Sequence, residues 1–376
     1  MTALLDTVDP DGLLEYSVVF TDRSLNHMSG TFQGVMRDIS AMLKEVYGAA
    51  HVAIVPGGGT FAMEAVARQF AGGQDVLVVR NGWFSFRWSQ ILDAAQIARA
   101  VTVIKARSTG NSPQSPYAPP PIDEVAAQIR ATRPGIVFAP HVETSAGIIL
   151  PDSYIAALAD AAHDVGALLV LDCVASGAVW VDMATTGVDV LISAPQKGWS
   201  AQPCAGLVML SDRARTRMEQ TQSSSFAADL KGWAAIMASY EAGGYAYHAT
   251  LPTDALRAFR DTMLETRAYG FDRLKSAQWA LGDGVRAMLA RKGILSVAAD
   301  GFGAPGVVVS YTDDPDVKSG AKFAALGIQI AAGVPLRVDE PDGFMTFRIG
   351  LFGLDKLYDV PAALARLQDG IDRVFP

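Results

Sequence analysis

Apolar positions along this chain fall into two rhythms that alternate. Short continuous runs, HVAIV (51–55), DVLVV (75–79), VTVIK (101–105), GIVFAP (135–140), ALLVLD (167–172), DVLISA (189–194) and AGLVML (205–210), read as strands, and the unbroken GALLVL as one covered on both faces. Between them lie stretches with helical spacing. Residues 31–47 place Phe32, Val35, Met36, Ile39, Leu43 and Val46 on one face, and residues 121–132 and 152–166 behave alike. Strand and helix in alternation predict βαβ units and a mostly parallel sheet with helices on both sides. After residue 252 the pattern becomes long and helical through residue 293. It then turns to shorter runs, VVVSYTD (307–313), Gly327–Ile330 and FMTFRIGL (344–351), which predict a second, smaller α/β unit. The Pro/Ser-rich stretch 107–121 reads as a surface excursion.

Composition narrows the class. A chain of 376 residues, half of them hydrophobic, suits a large domain plus a smaller one. A net charge of −8 and the absence of a basic tract argue against a nucleic-acid partner or an acidic membrane surface. No segment is apolar for long enough to span a bilayer, and residues 1–16 lack the pattern of a signal peptide. Cys173 and Cys204 read as two free buried thiols and suit a reducing cytoplasm. No Cys/His spacing suggests zinc.

Three features carry chemistry. Lys197 follows the apolar run 189–194 and enters a turn, APQKG. Burial of such an amine favours its neutral, nucleophilic form, which a Schiff base with an aldehyde requires. Asp172 ends the run GALLVL, at the strand end where open α/β sheets bind ligands. A carboxylate there can keep a pyridine nitrogen protonated. The stretch PGGGTFAMEAVARQF (56–70) places three glycines and a threonine ahead of a helix whose apolar side includes Phe61, Ala62, Ala65 and Val66. The N–H groups of Gly59, Thr60 and Phe61 would face an anion at its N-terminus.

The order of these parts, a Gly-rich cradle containing Gly58, Gly59 and Thr60, then Asp172, then Lys197, resembles the fold-type I pyridoxal-phosphate enzymes. GGGTFAMEA, HVETSAG, LDCVASGAVWVDM, GVDVLISAPQKG, AYHATLP and FRIGLFG resemble the class V aminotransferases, the group of alanine–glyoxylate and serine–glyoxylate or –pyruvate transaminases. The resemblance runs from about Asn26 to the C-terminus. It implies an N-terminal arm over 1–15, a large cofactor-binding domain over 16–265 and a small C-terminal domain over 266–376. It implies pyridoxal 5'-phosphate as cofactor, with Lys197 and Asp172 catalytic. Phe84 is the matching ring to stack on the cofactor, with Trp83 as rival. Thr144 matches a donor to the ring hydroxyl, Glu143 a neighbour of the pyridine, Gln196 a phosphate ligand, and His141 a supporting group. Tyr247 and Thr250 match residues that reach the phosphate of a neighbouring subunit, hence a homodimer with shared sites. Arg348 matches the arginine that holds the substrate carboxylate.

The start of the chain departs from the family's usual pocket-lining segment, and Tyr16, Arg23 and Asn26 stand in its place. The expected reaction is ping-pong transamination between alanine or serine and glyoxylate or pyruvate. A 2-aminoethylphosphonate transaminase, which would call on Arg23 or Arg337 for the phosphonate, stays open. So do a desulfurase-like lyase using Cys204 and a non-catalytic cofactor-binding relative.

Overall fold

A seven-stranded sheet organises the first two-thirds of the molecule, described here from a computed structural model that covers residues 8–376. Residues 1–7 of the expected N-terminal arm lie outside the described residues. The strands are β1 (His51–Pro56), β2 (Asp75–Arg80), β3 (Ala100–Lys105), β4 (Ile136–Pro140), β5 (Leu168–Asp172), β6 (Val190–Ser193) and β7 (Ala205–Leu210). They are ordered β1-β7-β6-β5-β4-β2-β3. The pairs β6/β5, β5/β4, β4/β2 and β2/β3 are parallel, and β7 runs antiparallel to both β1 and β6. β4, β5, β6 and β7 are buried at every position, as their unbroken apolar runs predict.

The strands that share a direction open their C-terminal ends on one edge of the sheet. Helix α1 (Gly30–Tyr47) precedes β1 and buries Phe32, Val35, Met36, Ile39 and Leu43, as its periodicity predicts. Helices α2 (Gly59–Phe70) and α3 (Trp83–Ala94) follow β1 and β2 directly. Two long helices, α4 (Thr253–Tyr269) and α5 (Phe271–Arg291), meet at Gly270. Beyond them a three-stranded sheet, β8 (Val307–Tyr311), β9 (Ala331–Ala332) and β10 (Thr346–Gly350), has order β8-β10-β9. Among the described residues, no helix is long and apolar enough to cross a membrane.

Three readings of the sequence need correction. The Pro/Ser-rich stretch is not a plain excursion: Arg107–Ser108 pairs with Tyr117–Ala118, and buried Tyr117 bridges to Ala298. Its prolines mark the turn, while its aromatic residue anchors the C-terminal unit. The Gly327–Ile330 run is not a strand. Gly327 takes a positive φ of 76° after a short helix, and strand pairing starts only at Ala331. Phe61 is not on the apolar side of α2. Its ring is 60% exposed and lies over Gly57.

Candidate active site

The functional side chains gather because the exits of β1, β2, β4, β5 and β6 open on one edge of the sheet. A cleft of about 160 Å³ there is lined by Gly59, Thr60, Met63, Phe84, Arg87, Val142, Thr144, Asp172, Val174, Ala175, Gln196 and Lys197. A larger groove of about 980 Å³ runs along the β3 edge but holds no comparable convergence of nucleophile, acid and anion cradle. Chemistry, rather than size, selects the cleft.

Asp172 is the last residue of β5. Its Oδ1 accepts the Val174 N–H at 2.9 Å, and its main-chain carbonyl accepts from His141 N–H at 2.8 Å. Burial is the main cause that pushes its carboxyl up to about 6. Glu143 adds to the rise, while the Val174 N–H, Arg87 and Lys197 oppose it. The acid is therefore held short of a cation, which a protonated pyridine nitrogen would supply.

Lys197 stands four residues beyond β6, in a turn held by Ser200 N–H to the Lys197 carbonyl and Ala201 N–H to the Pro195 carbonyl, both at 3.0 Å. Two residues on, fully buried Trp199 packs against Trp180 with centroids 4.8 Å apart and edge-on to Tyr47, Phe259 and Phe271. This aromatic anchor fixes the turn that carries the amine. The amine lies 5.0 Å from the centroid of Phe352, just past β10. Burial first, and then the positive charge of Arg348, hold it below the ordinary lysine value, with Asp172 pulling the other way.

Phe84 lines the cleft and Trp83 does not. Trp83 instead lies under the Arg337 guanidinium, 5.2 Å from its centroid. Phe84 is set by the way α3 begins. Gly82, ahead of the helix, has no side chain to cap it, so Glu143 does so from the loop after β4. That carboxylate accepts the N–H groups of Phe84 (3.1 Å), Ser85 (2.9 Å) and Ser145 (3.0 Å), and the hydroxyls of Ser85 and Ser145 at 2.7 Å each. Ser145 Oγ in turn accepts the Trp83 N–H at 2.9 Å. A Cβ at Gly82 would sit 2.1 Å from Ser145 Oγ, so only glycine admits this approach. Glu143 is thus spent on the helix and does not line the cleft, contrary to its expected place beside the pyridine. Thr144, between the two capping residues, faces the cleft.

His141 is buried, with Nδ1 2.7 Å from Ser176 Oγ. Burial, then Lys275, push its value down to about 3, so it stays neutral and supports β5 from behind.

At the start of α2 the Phe61 N–H is taken by the Gly58 carbonyl at 3.0 Å. The expected trio of free donors is therefore a pair: among the described residues, Gly59 and Thr60 N–H have no such partner. A Cβ at Gly59 would meet Val174 at 2.6 Å. Gln196 is half-buried, with its Oε1 buried and unpartnered, and turned end for end the side chain presents its NH₂ to an anion. Two open amides at a helix N-terminus, a half-buried side-chain amide, a nucleophilic amine and a carboxylate short of a cation fit a phosphorylated pyridine aldehyde.

Arg348, mid-β10, is held by an Nε–H bond to the Ala332 carbonyl at 2.8 Å, and its guanidinium lies 5.6 Å from the Phe84 centroid. Burial lowers its value, with only Glu143 opposing, and it forms no ion pair among the described residues. Tyr247 and Thr250 join through a 3.0 Å hydroxyl contact on a loop away from this chain's own cleft, with Tyr247 exposed. Tyr16, Arg23 and Asn26 do not line the cleft either. Asn26 donates to Glu15 and Ser17, while Tyr16 is 89% exposed. Cys204 is buried and its thiol is pushed up to about 11 by burial, which removes it as a mobile nucleophile. Arg87, Phe352 and the Trp199 anchor were not singled out from the sequence. The spacing of Arg87 one helical turn after Phe84 is the signal that would have found the first.

The family model of class-V aminotransferases matches residues 13–287. The 2-aminoethylphosphonate–pyruvate transaminase of Paraburkholderia phymatum is 28% identical over 355 residues, 92% of this chain and 89% of its own length. Alanine–glyoxylate aminotransferase of Rattus norvegicus is 28% identical over 247 residues, 64% of this chain and 56% of its own. Among solved structures, alanine–glyoxylate aminotransferase from Nostoc sp. superposes with a TM-score of 0.79 at 21% identity, covering 94% of this chain and 89% of that one, which shows a shared fold. With a family match over most of its length, the chain belongs to the class-V aminotransferases, which depend on pyridoxal phosphate.

Proposed function

We propose that this enzyme transfers the amino group of a small α-amino acid, alanine or serine, to a small 2-oxo acid, glyoxylate or pyruvate. The observation that carries the reading is the shared cleft of Lys197 and Asp172, with Arg348 unpaired beside Phe84. Pyridoxal phosphate, when bound, supplies an aldehyde for the amine and a ring that withdraws electrons. Lys197 would hold the cofactor and, once released, would take the proton from the substrate α-carbon and deliver it to the cofactor's C4′ carbon, as base and then acid. Asp172 would keep the ring nitrogen protonated. Phe84 would stack on the ring, and Thr144 would donate to its hydroxyl. Gly58, Gly59, Thr60 and Gln196 would hold the phosphate. Arg348 receives the substrate carboxylate through its free fork and orients the α-carbon.

A homodimer with shared sites, and the division of the chain into an arm, a large and a small domain, belong to the same proposal. Exposed Tyr247 supports the dimer. So does the segment that runs from the arm into the large domain, where Leu13, Leu14, Tyr16 and Val18 lie open without regular structure.

A second reading, 2-aminoethylphosphonate as donor, is favoured by relatives of that name along nine-tenths of the chain. Against it, Arg337 is turned onto Trp83 and Arg23 is exposed, so neither adds a cation to the cleft. Stopped-flow loss of the cofactor band with alanine, serine and 2-aminoethylphosphonate decides between them. Fast turnover of the phosphonate alone would overturn the first reading. Lys197→Ala should bind cofactor but lose transamination, and borohydride should fix the cofactor only onto the wild-type lysine. Near-normal turnover in the variant would remove Lys197 from its role.

A further inference from the structure

The cleft holds a second cation. Arg87 lies one turn along α3 from Phe84 and lines the cleft beside Gly59, Thr60 and Gln196. Its Nη1 donates to Thr60 Oγ1 at 3.0 Å, and its guanidinium stands 5.3 Å from the Phe84 centroid. It has no carboxylate partner among the described residues. Phe84 is therefore flanked by two guanidiniums, Arg87 and Arg348, neither in a salt bridge among the described residues, though Asp172 and Glu143 stand near enough to act on them.

The two are tied to different ends of the site. Arg348 is anchored through the Ala332 carbonyl to the small sheet. Arg87 is anchored to Thr60 in the first turn of α2, where the open N–H groups and the helix dipole already favour an anion. A hydroxyl has one proton and two lone pairs. Because Arg87 donates into the Thr60 oxygen, the Thr60 proton is left to donate elsewhere. A phosphate carries close to two negative charges, more than two amides and a hydroxyl neutralise.

We propose that Arg87 is the cationic member of the cofactor's phosphate subsite, supplying charge and directing the Thr60 hydroxyl proton toward the phosphate. The proposal rests on the reading of this cleft as the seat of pyridoxal phosphate.

The test compares pyridoxal phosphate with pyridoxal, which has the same ring and aldehyde but no phosphate. Cofactor-free wild type, Arg87→Gln, Arg87→Lys, Thr60→Ala and the Arg87→Gln/Thr60→Ala double variant are titrated with each, following visible absorbance. Arg87→Gln should weaken pyridoxal phosphate binding about 10- to 100-fold, as expected for loss of a charge-assisted contact, and leave pyridoxal binding unchanged. Arg87→Lys keeps the charge without the fork and should recover part of the loss. The Arg87→Gln effect should shrink in the Thr60→Ala background, because the two act as a unit. Inorganic phosphate should compete with the cofactor less well in Arg87→Gln.

Equal weakening of both ligands, or of neither, would overturn the proposal. So would unchanged cofactor binding with a raised KM for 2-aminoethylphosphonate, which would assign Arg87 to the substrate. If Arg87→Gln fails to fold by circular dichroism, the Arg87→Lys comparison alone decides, with selective weakening of the phosphorylated ligand supporting the role and equal effects refuting it. A wild type that binds no pyridoxal phosphate overturns the reading of the cleft itself. A wild type that binds, beside an indifferent Arg87→Gln, overturns only the role of Arg87.

Discussion

Asp172→Asn should make the protein more stable without its cofactor and less able to take that cofactor up. The carboxyl sits at the buried end of β5, and its value rises from an ordinary 3.8 to about 6, chiefly through burial. That displacement corresponds to about 3 kcal/mol of cost for holding the charged form in the folded protein. The direction follows from proton binding. The folded state holds this proton more tightly than the unfolded state, so the cost is absent below the unfolded value. It grows as pH rises between about 4 and 6 and is complete above.

Asparagine removes the charge and keeps an oxygen for the Val174 N–H. Stripped of cofactor, the variant should therefore gain roughly 2–3 kcal/mol at pH 8, which for a chain of 376 residues is a rise in melting temperature of about 2.5–4 °C. The gain should fade as pH falls through 6 toward 4. With pyridoxal phosphate present the order should reverse, because binding stabilises wild type by mass action and the variant offers the ring nitrogen no anion. Differential scanning calorimetry at several pH values, with and without cofactor, reads both arms. A variant that is no more stable at pH 8, or whose gain is the same at pH 4.5 and pH 8, refutes the account of Asp172 as a strained, buried charge.

Arg348→Lys keeps a charge but loses the fork, at about 2–4 kcal/mol for a bidentate carboxylate contact. kcat/KM for alanine should then fall roughly 30- to 1000-fold while the cofactor spectrum is unchanged. Equal loss with donors that lack a carboxylate would make the arginine structural. If Tyr247 and Thr250 complete the site of a second subunit, as proposed, mixing inactive Lys197→Ala with inactive Tyr247→Ala/Thr250→Ala should restore part of the activity, since one site of each hybrid dimer would have both functional halves. No recovery, despite proven subunit exchange, counts against sharing. Glu143→Gln faces donors with an NH₂ and should cost about 1.5–3 kcal/mol in urea unfolding as well as weaken cofactor binding, because the start of α3 loses its cap. An unchanged unfolding midpoint would show that the five bonds to this carboxylate are dispensable.

The parts of the fold that sequence reveals are those governed by short-range regularity. Seven apolar runs became seven strands, and in β4, β5, β6 and β7 burial on both faces leaves no room for polar alternation, whereas β3 lies half-exposed at the edge of the sheet. The Asp172 and Lys197 pair was legible because a charge at the end of such a run breaks the pattern. What escaped depends on meetings between distant segments. Glu143 is ordinary in HVETSAG until α3 arrives without a side-chain cap. Trp199 is one tryptophan of six until Trp180, Phe259 and Phe271 close around it. Phe61 follows helical spacing, yet it belongs to the first turn, where the sheet no longer covers it. Gly327–Ile330 has the composition of a strand, yet β10 pairs only with the residues that follow it, Ala331 and Ala332.

The link between Glu143 and the first turn of α3 has a consequence for how this site can change shape. Three successive residues, 143, 144 and 145, are divided in purpose: the outer two grip the helix that carries Phe84, and the middle one faces the cleft. Thr144 and the Phe84 ring thus move as one rigid unit. A displacement of α3 carries the hydroxyl with it and leaves the spacing between ring platform and hydroxyl as it was. A change that tilts or lifts this unit relative to Lys197 would reshape the cleft between them, while the spacing of the Phe84 ring and the Thr144 hydroxyl keeps its proportions.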